Sequence, residues 1–245
     1  VLSASPDGRN INEGCGSEQP AAMAASVQKT GAAVGFAFDG DGDRVVICDE
    51  TGAVLTGDQV VAICARHFKN SGRLQKNVVV TTVMSNMGLR SALKKMDIRH
   101  VAAGVGDRHV VEAMKNAGSV LGGEDSGHIV FLDRHSTGDG ILSAIEILNI
   151  MTSENRPLSE LKQVMTIFPQ VMINVRVKTK PAIESLSGVI QTIQSIESRL
   201  GRDGRVLVRY SGTQPMCRVM VEGPTLSQVQ LFCQTIADAV RAAIG

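Results

Sequence analysis

The alternation of hydrophobic and polar positions predicts strands and helices in turn over the first 152 residues. Short apolar runs rich in valine and isoleucine are typical of buried strands, and apolar residues three or four positions apart are typical of amphipathic helices. Strands are predicted over residues 32–38, 45–48, 77–83, 98–103 and 128–132, and helices over 21–29, 58–69, 86–96, 108–117 and 139–152. This alternation predicts βαβ units around a parallel or mixed sheet, with functional loops at the carboxyl ends of its strands.

The pattern differs in the last third of the chain. Periodicity weakens over residues 152–169, which contain two prolines, and this stretch is predicted to be a linker. The remainder predicts strands at 170–177, 205–209 and 216–222 and helices at 181–200 and 226–243. The last two strands form a predicted hairpin. The predicted fold class is therefore α/β, with mixed-sheet α/β domains followed by a small α+β C-terminal domain.

Composition narrows the classes of function. The 245 residues are enough for two or three compact domains. Lysine plus arginine (25) nearly balances aspartate plus glutamate (24), and the formal charge of +1 predicts neither nucleic acid nor a membrane as partner. Five scattered cysteines without a C-x-x-C spacing argue against a disulfide framework or a zinc site and for reduced thiols. With no apolar run of roughly 18 residues and no leader pattern, a cytoplasmic location is expected.

Three aspartates, Asp39, Asp41 and Asp43, alternate with glycines directly after a predicted strand. The glycines permit a tight backbone path, so the carboxylates can converge, and hard oxygen ligands suit Mg²⁺ or Ca²⁺. A Ca²⁺ loop of the EF-hand type is disfavoured because Arg44 stands where that loop needs glycine and because the flanks are strands. Mg²⁺ accepts few protein ligands, and Arg44 could bind a phosphate beside it. The alternative, a solvated acidic turn, would leave three carboxylates repelling one another.

The glycine-flanked segment 122–128 carries a group of hydrogen-bonding side chains just before a predicted strand. A carboxylate and a hydroxyl on a rigid turn suit adjacent sugar hydroxyls, so Glu124 and Ser126 are assigned to that contact. His128 is a candidate proton carrier because the pKa of histidine suits general acid or base work near neutrality. A polar turn without a ligand, and a histidine held for structural reasons, are the alternatives at these positions.

Two other polar segments open predicted helices. Arg108 lies at the start of helix 108–117, where it could bind phosphate or form an exposed salt bridge, and Asp107 could cap the helix or contact a ligand. Asp139 opens helix 139–152, and capping is the simpler role for it.

A further polar turn lies in the predicted C-terminal hairpin. It contains Arg209, Ser211, Gly212 and Thr213, and Arg218 follows on the second strand. Two hydroxyls, backbone amides freed by glycine and two guanidiniums make a suitable cradle for a phosphate dianion. An ordinary hairpin turn could contain Ser-Gly-Thr, but it would not need arginines on both strands. A phosphate-binding loop is therefore predicted here.

Three motifs, taken in this order, resemble the α-D-phosphohexomutase superfamily and, within it, the phosphoglucosamine mutase branch. They are DGDGDR at 39–44, GGEDSGH at 122–128 and RYSGTQP at 209–215. Further segments extend the resemblance over essentially the whole chain: SPDGRNIN at 5–12, MSNMGL at 84–89, VGDR at 105–108 and RVMVEG at 218–223.

The resemblance implies a place for each region within a four-domain enzyme. Residues 1–51 correspond to the end of the second domain with the metal loop, residues 52–160 to the third domain with the sugar loop, and residues 161–245 to the fourth domain with the phosphate loop. In this superfamily the first domain supplies a serine that cycles through phosphoserine, and no Ser-His-Asn-Pro segment occurs here. The missing N-terminal domains are therefore expected as partners, and the chain alone is expected to be inactive.

The implied reaction interconverts glucosamine 6-phosphate and glucosamine 1-phosphate, on the route to UDP-N-acetylglucosamine and the cell wall. The resemblance implies Mg²⁺ held by the three aspartates, a sugar 1,6-bisphosphate as intermediate and activator, and a phosphorylated hexosamine as substrate. Arg44 and His128 are the candidate catalytic residues, and a homodimer is left open. The alternatives are a phosphomannomutase or phosphoglucomutase relative, a Mg²⁺-dependent phosphatase with an aspartate nucleophile, and a non-catalytic sugar-phosphate-binding chain.

Two positions depart from the pattern of the superfamily. Gln214 stands where RxSGTEP has glutamate, which is expected to alter loop packing more than phosphate affinity. Asp125 stands where related enzymes carry Gln, Asn or Met, and a polar residue there favours the glucosamine branch. We hypothesise that Asp125 balances the substrate ammonium. An Asp125→Ala variant with unchanged preference for glucosamine over glucose phosphate would contradict this hypothesis.

Overall fold

The computed structural model describes all 245 residues, which divide into two compact units, Val1–Thr166 and Ile167–Gly245. This division falls a few residues after the predicted boundary between 160 and 161. Residues 1–51 and 52–160, which the resemblance assigns to two domains, lie together in the first unit. No helix of the chain is both long enough and apolar enough to cross a bilayer.

A helix and a two-stranded antiparallel hairpin begin the first unit. Helix α1 (Ala21–Thr30) packs on strands β1 (Val34–Phe38) and β2 (Val45–Asp49). The two strands pair with Phe38 opposite Val45. The acidic loop is therefore the turn at the tip of this hairpin.

A four-stranded sheet forms the body of the first unit. Its strands are β3 (Val78–Thr82), β4 (Arg99–Ala103), β5 (Leu121–Gly123) and β6 (Ile129–Phe131). The strand order is β4-β3-β5-β6, with β3 parallel to both neighbours and β6 antiparallel to β5. The prediction of a mixed sheet is confirmed.

Helices cover both faces of this sheet. They are α2 (Gly57–Asn70), α3 (Met87–Lys95), α4 (Asp107–Ala117) and α5 (Gly140–Glu154). One face packs on α2, α3 and α5 through a large apolar cluster, and the other packs on α4 through a smaller cluster that includes Val80. Strand β3 is buried along its whole length, which explains why its sequence is a continuous run of valine and threonine instead of an alternating pattern.

The predicted linker contains regular structure. Helix α5 continues to Glu154, and helix α6 (Leu158–Leu161) runs into a short 3₁₀ turn. Leu158, Leu161 and Met165 are buried in the core of the first unit. The division between the two units, at Thr166–Ile167, lies within the predicted linker. Helix α6 was missed because Pro157 was taken as a breaker, whereas this proline directly precedes α6, where its fixed φ is compatible with a helix start.

The second unit is a three-stranded antiparallel sheet with two helices packed on it. Its strands are β7 (Gln170–Arg176), β8 (Arg205–Tyr210) and β9 (Met216–Glu222), in the order β7-β9-β8, so the predicted hairpin is the β8–β9 pair. Helices α7 (Ser187–Leu200) and α8 (Leu226–Ile244) bury a separate apolar cluster against this sheet. Helix α7 begins later than predicted because Ile183–Ser185 forms a 3₁₀ turn of its own.

Candidate functional site

The acidic loop is held in shape by contacts within the loop itself. The Gly42 amide donates to the carbonyl of Asp39 at 3.1 Å, and Gly42 has φ 72°, a left-handed conformation that favours glycine. The Arg44 amide donates to Asp39 Oδ1 at 3.2 Å. The Asp39 side chain is buried as a result, whereas Asp41 is exposed at the tip.

The guanidinium of Arg44 lies between two of the three carboxylates. Its Nη2 is 3.1 Å from Asp39 Oδ2, and its Nε is 3.6 Å from Asp43 Oδ1. No three acidic, histidine or cysteine side chains of the chain stand close enough to form a complete set of metal ligands. The predicted convergence of the three aspartates is therefore not present in this arrangement, because Arg44 supplies the positive charge between two of them.

The loop nevertheless offers the donor type that Mg²⁺ requires. Its three carboxylates are hard oxygen ligands, and Asp43 Oδ1 is buried without a hydrogen-bond partner. A divalent ion entering here would compete with Arg44 for the same oxygens. The residues thus fit a magnesium site by their chemistry, with Arg44 as the internal competitor.

The predicted sugar loop, residues 122–128, contains the tight turn between β5 and β6. The Glu124 amide donates to the carbonyl of His128 at 2.9 Å, and the Gly127 amide donates to the carbonyl of Glu124 at 3.1 Å. The Gly106 amide donates to Glu124 Oε1 at 2.9 Å, which links the turn to the VGDR segment. Arg108 lies exposed in the first turn of α4 beside that contact, and Ser126 is exposed on the turn.

The acidic loop and the sugar loop are joined directly. His128 Nδ1 is 3.1 Å from Asp43 Oδ2, and the Val45 amide donates to the carbonyl of Gly127 at 3.2 Å. A Cβ on Gly127 would lie 2.3 Å from the carbonyl oxygen of Val45, so only glycine permits this approach. The two loops predicted to bind metal and sugar therefore lie in direct contact.

His128 is almost completely buried in this junction. The residue is 3% exposed, its ring packs against Gly138, and Nε2 has no hydrogen-bond partner. With Nδ1 engaged by Asp43, Nε2 is the ring nitrogen left for proton transfer.

Asp139 and Asp107, the polar residues at the beginnings of α5 and α4, contact backbone amides of those helices. Asp139 caps α5, since its Oδ1 accepts from the Leu142 amide at 2.9 Å, which confirms the capping prediction. The N-cap of α4 is Gly106, and Asp107 lies in the first turn of the helix, where its Oδ1 accepts from the Arg108 amide at 2.7 Å.

The predicted phosphate loop lies in the second unit, in the turn of the β8–β9 hairpin. Ser211 is buried, its amide donates to the carbonyl of Met216 at 2.9 Å, and its Oγ accepts from the Gln214 amide at 3.3 Å. Gly212 and Thr213 are exposed at the tip, and a Cβ added at Gly212 would have no neighbour within 4 Å. The tip is thus open to a ligand.

Arg209 and Arg218 stand directly opposite each other on β8 and β9. Neither forms a salt bridge with a carboxylate of the chain, and both are only partly exposed. Burial, and then the positive charge of Arg218, lower the pKa of Arg209. A bound dianion would relieve this repulsion, which supports the predicted phosphate site.

Lys180 is a further cation at this turn that the motif did not indicate. Its Nζ donates to the carbonyl of Ser211 at 2.6 Å from a position 31 residues earlier in the chain. The contact depends on the tertiary fold, so no spacing in the sequence signals it.

Two family models match the chain. One, described as phosphoglucomutase/phosphomannomutase, alpha/beta/alpha domain III, matches residues 56–168, and the other, the phosphoglucomutase/phosphomannomutase C-terminal domain, matches residues 172–239. The phosphoglucosamine mutase of Syntrophus aciditrophicus (strain SB) is 56% identical over 240 residues, which cover 98% of this chain and 54% of that relative. That of Bacillus subtilis (strain 168) is 47% identical over 245 residues, which cover 100% and 55%. The chain thus spans about half the length of the curated relatives it matches.

Solved structures share the fold at lower identity. The N-acetylphosphoglucosamine mutase of Aspergillus fumigatus in complex with GlcNAc-6P and magnesium superposes with a TM-score of 0.74 at 22% identity, covering 94% of this chain and 57% of that one. A phosphoglucomutase/phosphomannomutase family protein of Burkholderia thailandensis gives 0.73 at 20% identity, covering 93% and 50%.

Proposed function

We propose that this chain, which belongs to the phosphoglucomutase/phosphomannomutase family, supplies the metal, sugar and phosphate loops of a phosphoglucosamine mutase. The proposed reaction interconverts glucosamine 6-phosphate and glucosamine 1-phosphate through a sugar 1,6-bisphosphate in the cytoplasm. Relatives that carry the name phosphoglucosamine mutase and share 47–56% identity with this chain support that choice of substrate.

One observation carries the proposal: the acidic loop is fixed to the sugar loop. The contacts of His128 with Asp43 and of Gly127 with Val45 hold the two loops together in the first unit. The metal loop of a phosphatase that hydrolyses many phosphate esters would not require direct contact with a sugar-binding turn. Adjacent metal and sugar sites instead suit transfer of a phosphoryl group to and from a sugar.

The sugar contacts are proposed for Glu124 and Ser126. The Gly106 amide engages Oε1 of Glu124 and thereby orients the carboxylate, which leaves Oε2 to accept from sugar hydroxyls. The exposed Ser126 hydroxyl lies two residues further on the same turn. Arg108, in the adjoining segment, is proposed to contact the phosphate of the substrate.

The remaining phosphate contacts are proposed for the β8–β9 hairpin. Arg209 and Arg218 supply charge, and Ser211, Gly212 and Thr213 supply hydroxyl and amide donors. Their proposed role is to hold the phosphate that is not reacting.

Asp39, Asp41 and Asp43 would hold Mg²⁺, which when bound would stabilise negative charge on the phosphoryl group. The guanidinium of Arg44, displaced from the carboxylates, would then be available to the same phosphate. His128 Nδ1 orients Asp43, and Nε2 is the proposed proton-carrying atom.

Titration of the chain with glucosamine 6-phosphate in Mg²⁺ tests this proposal. Glu124→Gln should weaken binding about ten-fold or more, since a hydrogen bond to a charged group contributes about 1.5–3 kcal/mol. Glu112→Gln, on the exposed face of α4, is the matched control and should bind like the wild type. Absence of phosphosugar binding by the wild type, or mutase turnover by the chain alone, would contradict the proposed division of roles.

A further inference from the structure

Asp125, the middle residue of the sugar loop, contacts the beginning of helix α2. The Gly57 amide donates to the carbonyl oxygen of Asp125 at 3.0 Å, and the Asp58 amide donates to its carboxylate Oδ1 at 3.2 Å. These two amides belong to the first turn of α2, where backbone N–H groups have no acceptor within the helix. One residue, 67 positions later in the chain than Asp58, therefore satisfies two of them.

The helix supplies the remaining acceptors itself. Thr56 and Gln59 form a capping box, in which Thr56 Oγ1 accepts from the Gln59 amide at 3.2 Å and Gln59 Oε1 accepts from the Thr56 amide at 3.1 Å. Asp125 completes this cap from outside the helix. Its negative charge also lies at the positive end of the helix dipole.

The backbone of the sugar loop rests directly on α2. A Cβ on Gly57 would lie 2.3 Å from the carbonyl oxygen of Glu124 and 2.7 Å from that of Asp125. Because neither neighbour is a flexible side chain, a larger residue at position 57 must displace the loop.

The helix start is itself anchored in the core. The carboxylate of Asp58 is fully buried, and its Oδ2 accepts from the Asn86 amide at 2.5 Å. Asn86 in turn caps α3 by accepting from the Gly88 amide at 2.9 Å. The first turn of α2, on which the sugar loop rests, is therefore held in place by its contact with the N-cap of α3.

We propose that Asp125 is a positioning residue that, by capping α2, sets the orientation of its neighbours Glu124 and Ser126 toward the sugar. This inference rests on the proposed sugar-binding role of Glu124 and Ser126, and it competes with the idea that Asp125 pairs with the substrate ammonium. The structure favours capping because one carboxylate oxygen is already engaged by the Asp58 amide.

Two substitutions separate these roles. Asp125→Asn keeps a side-chain oxygen that accepts from the Asp58 amide but removes the charge, whereas Asp125→Ala removes both. If Asp125 acts as a cap, Asp125→Asn should bind both sugar phosphates like the wild type. Asp125→Ala should then lower the affinity for glucosamine 6-phosphate and for glucose 6-phosphate by the same factor, about five-fold. If Asp125 pairs with the ammonium, both variants lose affinity for the glucosamine compound alone, and the proposal is overturned.

Calorimetric titration with both sugar phosphates at fixed Mg²⁺ gives the affinities, and amide hydrogen exchange gives a readout that needs no ligand. The Asp58 amide should exchange faster in Asp125→Ala and normally in Asp125→Asn. Asp238→Ala, at an exposed aspartate of α8, is the matched control. A wild type that binds neither sugar phosphate would refute the proposed function, while unchanged exchange or unchanged affinity in Asp125→Ala would refute the positioning role.

Gly57→Ala tests the same contact without touching Asp125. This substitution should lower the affinity for both sugar phosphates by the same factor, because the added methyl group displaces the sugar loop. Gly188→Ala is its control, since Gly188 also lies in the first turn of a helix but has no atom within 4 Å of the added Cβ. Wild-type affinity in Gly57→Ala would contradict the proposal.

Discussion

At the scale of single residues, Arg44 partly neutralises the acidic loop and His128 orients one of its carboxylates. Arg44 contacts Asp39 and Asp43, and His128 contacts the other oxygen of Asp43. These contacts offset the repulsion that the spacing of the three aspartates creates. Any divalent ion must therefore displace a side chain that already binds the same oxygens.

We expect Arg44→Gln to bind Mg²⁺ more tightly than the wild type. The substitution removes the competing charge, and because Arg44 is about one-third exposed the gain should be modest, about two- to five-fold. Calorimetric titration with MgCl₂ measures it, with Arg134→Gln as a control at an exposed arginine. Weaker Mg²⁺ binding in Arg44→Gln would show that Arg44 supports the metal instead of competing with it.

The facing arginines of the β8–β9 hairpin make a second prediction at this scale. Arg218→Met should weaken the binding of glucosamine 6-phosphate by about 2 kcal/mol, since a charged hydrogen-bond donor to the phosphate is lost. Arg202→Met, at an exposed arginine outside the hairpin, should have no effect. Equal affinities of the two variants for glucosamine 6-phosphate would show that the β8–β9 hairpin does not bind the phosphate.

At the scale of elements, the β1–β2 hairpin is fixed at both ends. Its tip meets the sugar loop, and its base is held by Asp49, which is fully buried and accepts from Thr51, Ala53 and Lys162. Burial raises the pKa of Asp49, but the hydrogen bonds from Lys162 and the turn outweigh it and hold the pKa below its ordinary value. The charged carboxylate therefore stabilises the folded hairpin.

This lowered pKa predicts a pH dependence of stability. The contribution of Asp49 is fully present above its unfolded pKa of about 3.9 and is lost as the pH falls through the lower folded value. Lys162→Met should cost about 3 kcal/mol at pH 6, because it leaves a buried carboxylate without its cation. Urea unfolding should show that the difference in unfolding free energy between the wild type and Lys162→Met narrows from pH 6 to pH 3. Lys178→Met, at an exposed lysine, is the control and should show no such difference. A difference that stays constant with pH would contradict the role of Asp49.

Most elements could be predicted from the sequence because local and tertiary preferences agree. The buried valines of β3 and the apolar positions along α2 mark their elements clearly. Helix α6 could not be predicted, since a helix of four residues depends on burial of Leu158 and Leu161 in the core and not on its own propensity. The start of α7 was misplaced because Ile183 and Leu186, in and just after the 3₁₀ turn, pack on the core at a spacing of three residues, as they would in a helix.

The candidate site was predictable only in part for the same reason. Motif spacing indicates which loops carry Glu124 or Arg209, but the partner of each side chain is set by the fold. The engagement of Asp125 with α2 and of Lys180 with the hairpin joins residues far apart in sequence. The pairing of Arg44 with the acidic loop is local, yet it is one of several arrangements that the same six residues could adopt.

At the scale of the whole molecule, each unit has its own hydrophobic core. The second unit packs its sheet against α7 and α8 around residues such as Phe232, and the first unit has a larger core of its own. We therefore expect the units to unfold in separate transitions.

The chain offers a spectroscopic probe for this separation, because its single tyrosine, Tyr210, lies in the second unit and there is no tryptophan. Phe232→Ala should destabilise the transition seen by tyrosine fluorescence by about 3–5 kcal/mol. Phe131→Ala, in the core of the first unit, should leave that transition unchanged while shifting the one seen by circular dichroism. A single transition that both variants shift equally would contradict two independent units.

The most direct test of a joint metal and sugar site is amide chemical-shift mapping of the chain titrated with glucosamine 6-phosphate in Mg²⁺. A joint site requires perturbations that saturate together at residues 39–44 and 124–128. Perturbations confined to other regions of the first unit, or none at all, would contradict it.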